Sequence, residues 1–124
     1  MPAKTPIQAR INNTFIPVRD IEKARAWYNT LFGLDGGEIV AGHLYFPQMD
    51  GDAGFTLDTM PVWIGQGGEF RPLPYPSVSF WADDIEAAYA FMQEHGIELV
   101  TGIENGHWFV FKDLDGNHLM VCSQ

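Results

Sequence analysis

Cysteine is almost missing from this chain of 124 residues, where Cys122 stands alone. One thiol excludes a disulfide within the chain and suits a reducing cytoplasm. Basic residues are scarce too, 7 against 16 acidic ones, for a formal net charge of −9. With no basic stripe to displace counterions from a phosphate backbone, nucleic acid is excluded as an expected partner. The acidity instead favours solubility or draws a cationic ligand. No apolar run approaches the roughly 20 residues that span a bilayer, so no membrane association is expected. The opening Met1-Pro2-Ala3-Lys4-Thr5-Pro6 lacks the apolar stretch of a signal peptide, and a cytoplasmic location is expected. A phosphate-cradling loop is also lacking, because neither a lysine nor a helix follows Gly65-Gln66-Gly67-Gly68.

What the chain does have is an internal repeat. Asp20-Ile21-Glu22 recurs as Asp84-Ile85-Glu86, Ala24 and Ala26 as Ala88 and Ala90, Ile39 as Ile103, and Gly42-His43 as Gly106-His107. Every pair differs by 64 positions, and Phe55 and Leu57 continue the series onto Leu119 and Val121. A constant offset running through helix and strand segments alike signals two copies of one supersecondary unit. Two such units usually pack about a pseudo-twofold axis, and positions related by the offset then face one another across a cleft. The length and the 46% apolar content allow one domain, 1–124, with modules at about 10–60 and 77–124.

Local signals predict the same order of elements in both copies. Arg10–Val18 reads as a strand, and Asp20 as the N-cap of a helix carrying Ile21, Ala24, Tyr28 and Leu31 at helical spacing, ended at Gly33. Strands are predicted near Glu38–Val40, His43–Pro47 and Gly54–Thr59, with Asp50-Gly51 as a turn. In the second copy Ser77–Ala82 is a strand, Asp84 caps a helix ended by Gly96, and strands follow near Glu98–Ile103, His107–Lys112 and His118–Cys122. Between the copies, 61–76 reads as an extended crossover whose Trp63, Phe70 and Tyr75 pack on a partner or on the cleft mouth. The fold class is α+β, two β-α-β-β-β modules in tandem forming a cleft.

Alternation along the strands divides the side chains between two faces. Val78, Phe80, Leu119 and Val121 are expected to face the helices. Ser77, Ser79, Trp81, His118, Met120 and Cys122 are expected on the other face. By the offset, Asn13 is the partner of Ser77 and Thr56 the partner of Met120.

The chain resembles the vicinal oxygen chelate superfamily, which holds glyoxalase I, extradiol dioxygenases, fosfomycin-resistance enzymes and bleomycin-resistance proteins. The resemblance rests on the paired layout, on Asp20-Ile21-Glu22-Lys23-Ala24 before Trp27-Tyr28, and on the run from Phe109 through Asp113-Leu114-Asp115-Gly116-Asn117. That run is close to the superfamily's strand followed by Asp-Pro-Asp-Gly-Asn, with Leu114 in place of proline. The resemblance implies metal ligands at four cleft positions, which fall here on Asn13, Thr56, Ser77 and Met120. None is a histidine or a carboxylate, and a thioether is a poor ligand for a borderline divalent ion, so no metal and no other cofactor is expected. The resemblance also implies a homodimer, which would cover exposed sheet edges.

Two readings follow. In the first, this is a metal-free binding protein for an apolar or aromatic small molecule. Its cleft is lined by Asn13, Phe15, Thr56, Ser77, Ser79, Trp81, Trp108, His118 and Met120, apolar walls with a few polar fixtures. In the second it is a lyase, isomerase or dioxygenase-like enzyme, using displaced ligands among His43, His107, His118 and Glu104 or His118 as acid and base. The composition favours the first. The facing of His43 and His107 is left open by hairpin register. His95, at a helix end, is given no role, and Cys122 is read as an inert thiol.

Overall fold

The computed structural model describes residues 5–46, 49, 53–59 and 70–123. The elements run β1 (Asn13–Pro17), α1 (Ile21–Phe32), β2 (Ile39–Val40), β3 (His43–Tyr45), β4 (Gly54–Asp58), β5 (Ser79–Trp81), α2 (Ile85–Glu94), β6 (Trp108–Lys112) and β7 (His118–Cys122). They form a four-stranded sheet in the order β1-β4-β3-β2 and a three-stranded sheet in the order β5-β7-β6. In each sheet the first strand pairs in parallel with the last, as β1 with β4 and β5 with β7. This is the mixed α+β architecture expected from the repeat.

The repeat is preserved in backbone geometry as well as in residue type. Asp20 and Asp84 hold nearly the same extended conformation, and each side chain accepts from two N–H groups of the first helical turn. Ala41 and Gly42 both have positive φ, and so do Asn105 and Gly106, 64 positions on. In the first copy Ala41-Gly42 forms the two-residue turn between β2 and β3, where two successive left-handed residues match strand twist; in the second, Asn105, Gly106 and His107 form a three-residue connection between Glu104 and Trp108.

One predicted strand is interrupted. Near Glu98–Ile103 only single bridges form, Leu99 with Phe111 and Glu104 with Trp108. Between them Val100 N–H and Thr101 N–H both donate to the Val110 carbonyl, at 2.8 and 3.3 Å. Thr101 Oγ1 in turn accepts from Val110 N–H at 3.0 Å. Two residues oppose one, so the segment is bulged, with a side-chain oxygen standing where a backbone carbonyl would pair. Other strands are shorter than predicted. Ser77 precedes β5, His107 precedes β6, and Asp50-Gly51, Trp63 and the glycines at 65, 67 and 68 lie outside the described residues.

The core joins the two modules through aromatic rings on the helix side. Phe80 of β5 packs edge-on to Phe32 of α1 at 5.0 Å and to Phe55 of β4 at 5.5 Å, and Tyr28 lies 5.5 Å from Phe55. Ile16, Leu44, Leu57, Leu119 and Val121 complete the buried layer, as the alternation predicts.

The Asp113–Asn117 loop braces this junction. The buried Asp113 carboxylate accepts from the Tyr28 hydroxyl of the other module, from the N–H groups of Asp115 and Asn117, and from Asn117 Nδ2. Asn117 Nδ2 also donates to the Pro17 carbonyl at 2.7 Å, and its Oδ1 accepts from Leu73 N–H at 2.8 Å. Arg19 pairs with Asp115 at 3.1 Å and lies over the Phe70 ring. Every one of these bonds connects the loop to itself, to the first module or to the crossover.

Candidate functional site on the outer sheet faces

The face of the first sheet turned from the helices is laid out by strand register. Pro17, Asp58, His43 and Val40 form one row across β1, β4, β3 and β2, and Phe15, Thr56 and Tyr45 form the next. Asn13 and Gly54 form the third. A Cβ on Gly54 would stand 2.7 Å from the Tyr45 ring, so glycine is what lets that ring lie down beside Asn13. Thr56 is buried, and its hydroxyl donates to Asn13 Oδ1 at 3.0 Å. Phe15 and Tyr45, respectively 48% and 50% exposed, stand on either side of it. Phe15, Pro17, Asp58 and Leu73 enclose a cavity of about 180 Å³.

Here the register places His43 on the same face as Thr56 and directly opposite Asp58. Its Nδ1 lies 3.2 Å from Asp58 Oδ2. Its repeat partner is elsewhere: His107 is exposed at the turn before β6, with Nδ1 3.0 Å from the Asn105 carbonyl. Glu104 sits at the same turn. His118 places Nδ1 3.1 Å from the Leu73 carbonyl. Because a carbonyl only accepts, that nitrogen carries a proton. The crossover thus contributes through Leu73, which touches both His118 and the cavity beside Phe15.

On the second sheet, His118, Met120, Cys122 and Trp108 are half-buried on the face opposite Leu119 and Val121. Ser79 pairs with Met120 and Trp81 with Cys122. Ser77 and Ser79 border a different hollow of about 280 Å³, shared with Thr14 and Gly54 between the opening strands of the two modules. Trp81 is 74% exposed and borders a third, apolar cavity of about 330 Å³ between α1, β5 and α2. That cavity, the largest of the three, lies on the helix side, away from the histidines and from Thr56.

The nine predicted cleft residues are therefore shared among separate places. Asn13, Phe15 and Thr56 sit together, Ser77 and Ser79 lie between the modules, and Trp81, Trp108, His118 and Met120 belong to the second sheet. Tyr45, Asp58, Pro17 and Leu73 were missed by sequence reasoning. Counting by twos from Thr56 reaches Asp58, so that residue at least had a signal.

The four positions that would hold a metal do not fit one. Asn13, Thr56 and Ser77 offer only neutral oxygens, with Asn13 Oδ1 already accepting from Thr56, and Met120 offers only a thioether. Among the described residues, no group of three or more His, Cys, Asp or Glu side chains is placed to hold an ion. Adding Zn²⁺, Ni²⁺, Mn²⁺ or Fe²⁺ is expected to leave the melting temperature unchanged. A site filled at 100 times its dissociation constant would add about 2.7 kcal/mol, so a saturable rise lost on changing Thr56 or Met120 would refute this.

The sequence matches the family model described as Glyoxalase/Bleomycin resistance protein/Dioxygenase superfamily over residues 10–121, and the chain belongs to that superfamily. Solved structures share its fold. A superfamily member from Sphaerobacter thermophilus is 23% identical with a TM-score of 0.70, over 94% of this chain and 98% of that one. TnmS3, an antibiotic binding protein from a Streptomyces species, is also 23% identical with a TM-score of 0.69, over 97% and 98%. A lactoylglutathione lyase from Agrobacterium tumefaciens is 20% identical with a TM-score of 0.66, over 96% of each chain. A search of curated protein sequences finds no match.

Proposed function

We propose that the protein is a small-molecule-binding member of its superfamily that works without a metal and takes an apolar or aromatic ligand on the outer sheet faces. The observation that carries this reading is the exposure of Phe15, Tyr45 and Val40 around buried Thr56 and Asp58. Apolar walls around a few oriented polar groups are the usual composition of small-molecule sites. Antibiotic binding by a protein of this fold, TnmS3, is consistent with it. The two modules act as one domain, and a second copy of the chain covers exposed sheet edges in a homodimer. No described helix is long and apolar enough to cross a membrane. With a single thiol as well, a cytoplasmic setting is part of the proposal.

Phe15 is the test of the site. Phe15→Ala should weaken binding of an aromatic ligand by about 1–3 kcal/mol, as for the loss of an aromatic contact. Unchanged affinity in that variant would overturn the placing of the ligand on the outer face of the first sheet. Absence of saturable binding by any apolar or aromatic compound would remove the proposal.

A further inference from the structure

We infer that the protein has a second small-molecule site, separate from the outer faces and set between α1, β5 and α2, which takes a neutral aromatic hydrocarbon of one or two rings. The cavity there measures about 330 Å³, inside the roughly 300–1,000 Å³ of small-molecule pockets. Every residue that lines it is apolar, with Phe32, Phe80, Phe91 and Phe111 as its aromatic walls. The one side-chain N–H among them is the indole of Trp81, a residue that is 74% exposed. A polar group carried inside would lose its water without gaining a partner. Water is a poor occupant too, because a held water needs about two to four polar partners, whereas apolar spaces of this kind admit apolar guests. Ring edges and the Met92 thioether favour a ring as that guest.

The internal repeat identifies what leaves this space open. At the equivalent positions of the first copy, Ile16, Val18, Ala24 and Tyr28 are 0–1% exposed. Their counterparts Phe80, Ala82 and Ala88 are partly exposed, and Met92 alone is buried. In the first copy the Tyr28 ring fills the seam between helix and sheet. It packs against Trp27, Phe32, Phe46 and Phe55, and its hydroxyl ties it to Asp113. In the second copy that position carries Met92, an unbranched side chain that repacks readily, and the small Ala87 and Ala88 stand beside it on the cavity wall. One copy closes its seam with an aromatic ring of its own, and the other leaves room for a ring brought by a ligand.

NMR of protein carrying ¹³C in its methionine methyl groups tests this, with naphthalene as the probe and Met92→Leu to assign the resonance. Saturating naphthalene is expected to move the Met92 methyl signal through its ring current. Ala88→Phe puts a ring of the protein's own into the cavity and should abolish that shift. If this variant fails to fold, Ala87→Phe, at an exposed position on the same wall, makes the same test. The hydroxyls of 2,6-dihydroxynaphthalene lie at opposite ends, so one must be buried, and it should bind about tenfold more weakly than naphthalene. Phe15→Ala, which cuts into the outer-face site, should leave the Met92 shift as it is in the native protein. A Met92 signal unmoved by naphthalene, or a shift that survives filling of the cavity, overturns the inference and leaves the outer-face reading standing. A shift lost in Phe15→Ala would trace the movement to the outer face and overturn the second site. Equal affinity for the diol would overturn the selection for an apolar guest.

Discussion

Phe80→Ala is expected to destabilise the protein by about 3–5 kcal/mol, while Trp81→Ala, which removes a larger side chain, should cost less than about 1 kcal/mol. The two residues are adjacent in β5 and differ in how much of the side chain is packed: Phe80 is half-buried and Trp81 is exposed. Phe80 meets Phe32 and Phe55 edge-on and so carries packing between the two modules. Removing its ring would leave a void that both partners border, and the cost of such a void comes on top of the lost transfer energy. The side chain of Trp81 is largely in solvent, so its deletion strips little apolar area from contact. Urea denaturation of the two variants at neutral pH measures both values. If Trp81→Ala proved the more damaging, β5 would be out of register by one residue, and Ser79, Met120 and Cys122 would not share a face with it.

Asp113→Ala should cost a similar 3–5 kcal/mol through a different mechanism. Its carboxylate is the common acceptor for the Tyr28 hydroxyl, two backbone N–H groups and Asn117 Nδ2. Truncation would leave these donors buried and unpaired, at about 1–3 kcal/mol each before relaxation and with strong non-additivity. Tyr28→Phe removes only one donor and should cost about 1–2 kcal/mol. Tyr28 also has a signature in pH. Burial, and then the negative charge of Asp113, hold its phenol well above the ordinary range. The folded state therefore keeps a proton that the unfolded chain releases near about pH 10. The stabilisation is complete below that pH and is lost as pH rises beyond it. Urea midpoints compared between about pH 8 and 11 should fall less steeply in Tyr28→Phe than in the native protein. Equal slopes would show that the phenol does not set alkaline stability.

Much of the fold was legible because it is written in local chemistry. Caps at Asp20 and Asp84, glycines at the hairpin turns, and alternation along β5 and β7 each depend on residues within a few positions of one another. The offset then doubled every such signal, so the tandem β-α-β-β-β layout needed no tertiary information. The family resemblance added the identity of the fold and the four positions that lack metal ligands.

Only the tertiary structure decided the rest. The strand near Glu98–Ile103 is broken because Thr101 can offer a side-chain oxygen to Val110, a competition that pattern reading does not register. The facing of His43 depended on whether β3 pairs with β4 in one register or the next, and a shift of one residue would have sent it to the helix side. The Asp113–Asn117 run carried the family resemblance, yet its partners Tyr28, Pro17 and Arg19 lie in the other module. The predicted cleft residues are divided between two sheets and the hollow between the modules, whose junction is packed by Phe32, Phe55 and Phe80. The sequence by itself determined the two helices, most of the strands and the alternation of faces along β5 and β7, because capping and strand alternation act over a few residues. Which of those faces meet was left to long-range packing and register, which no spacing along the chain encodes.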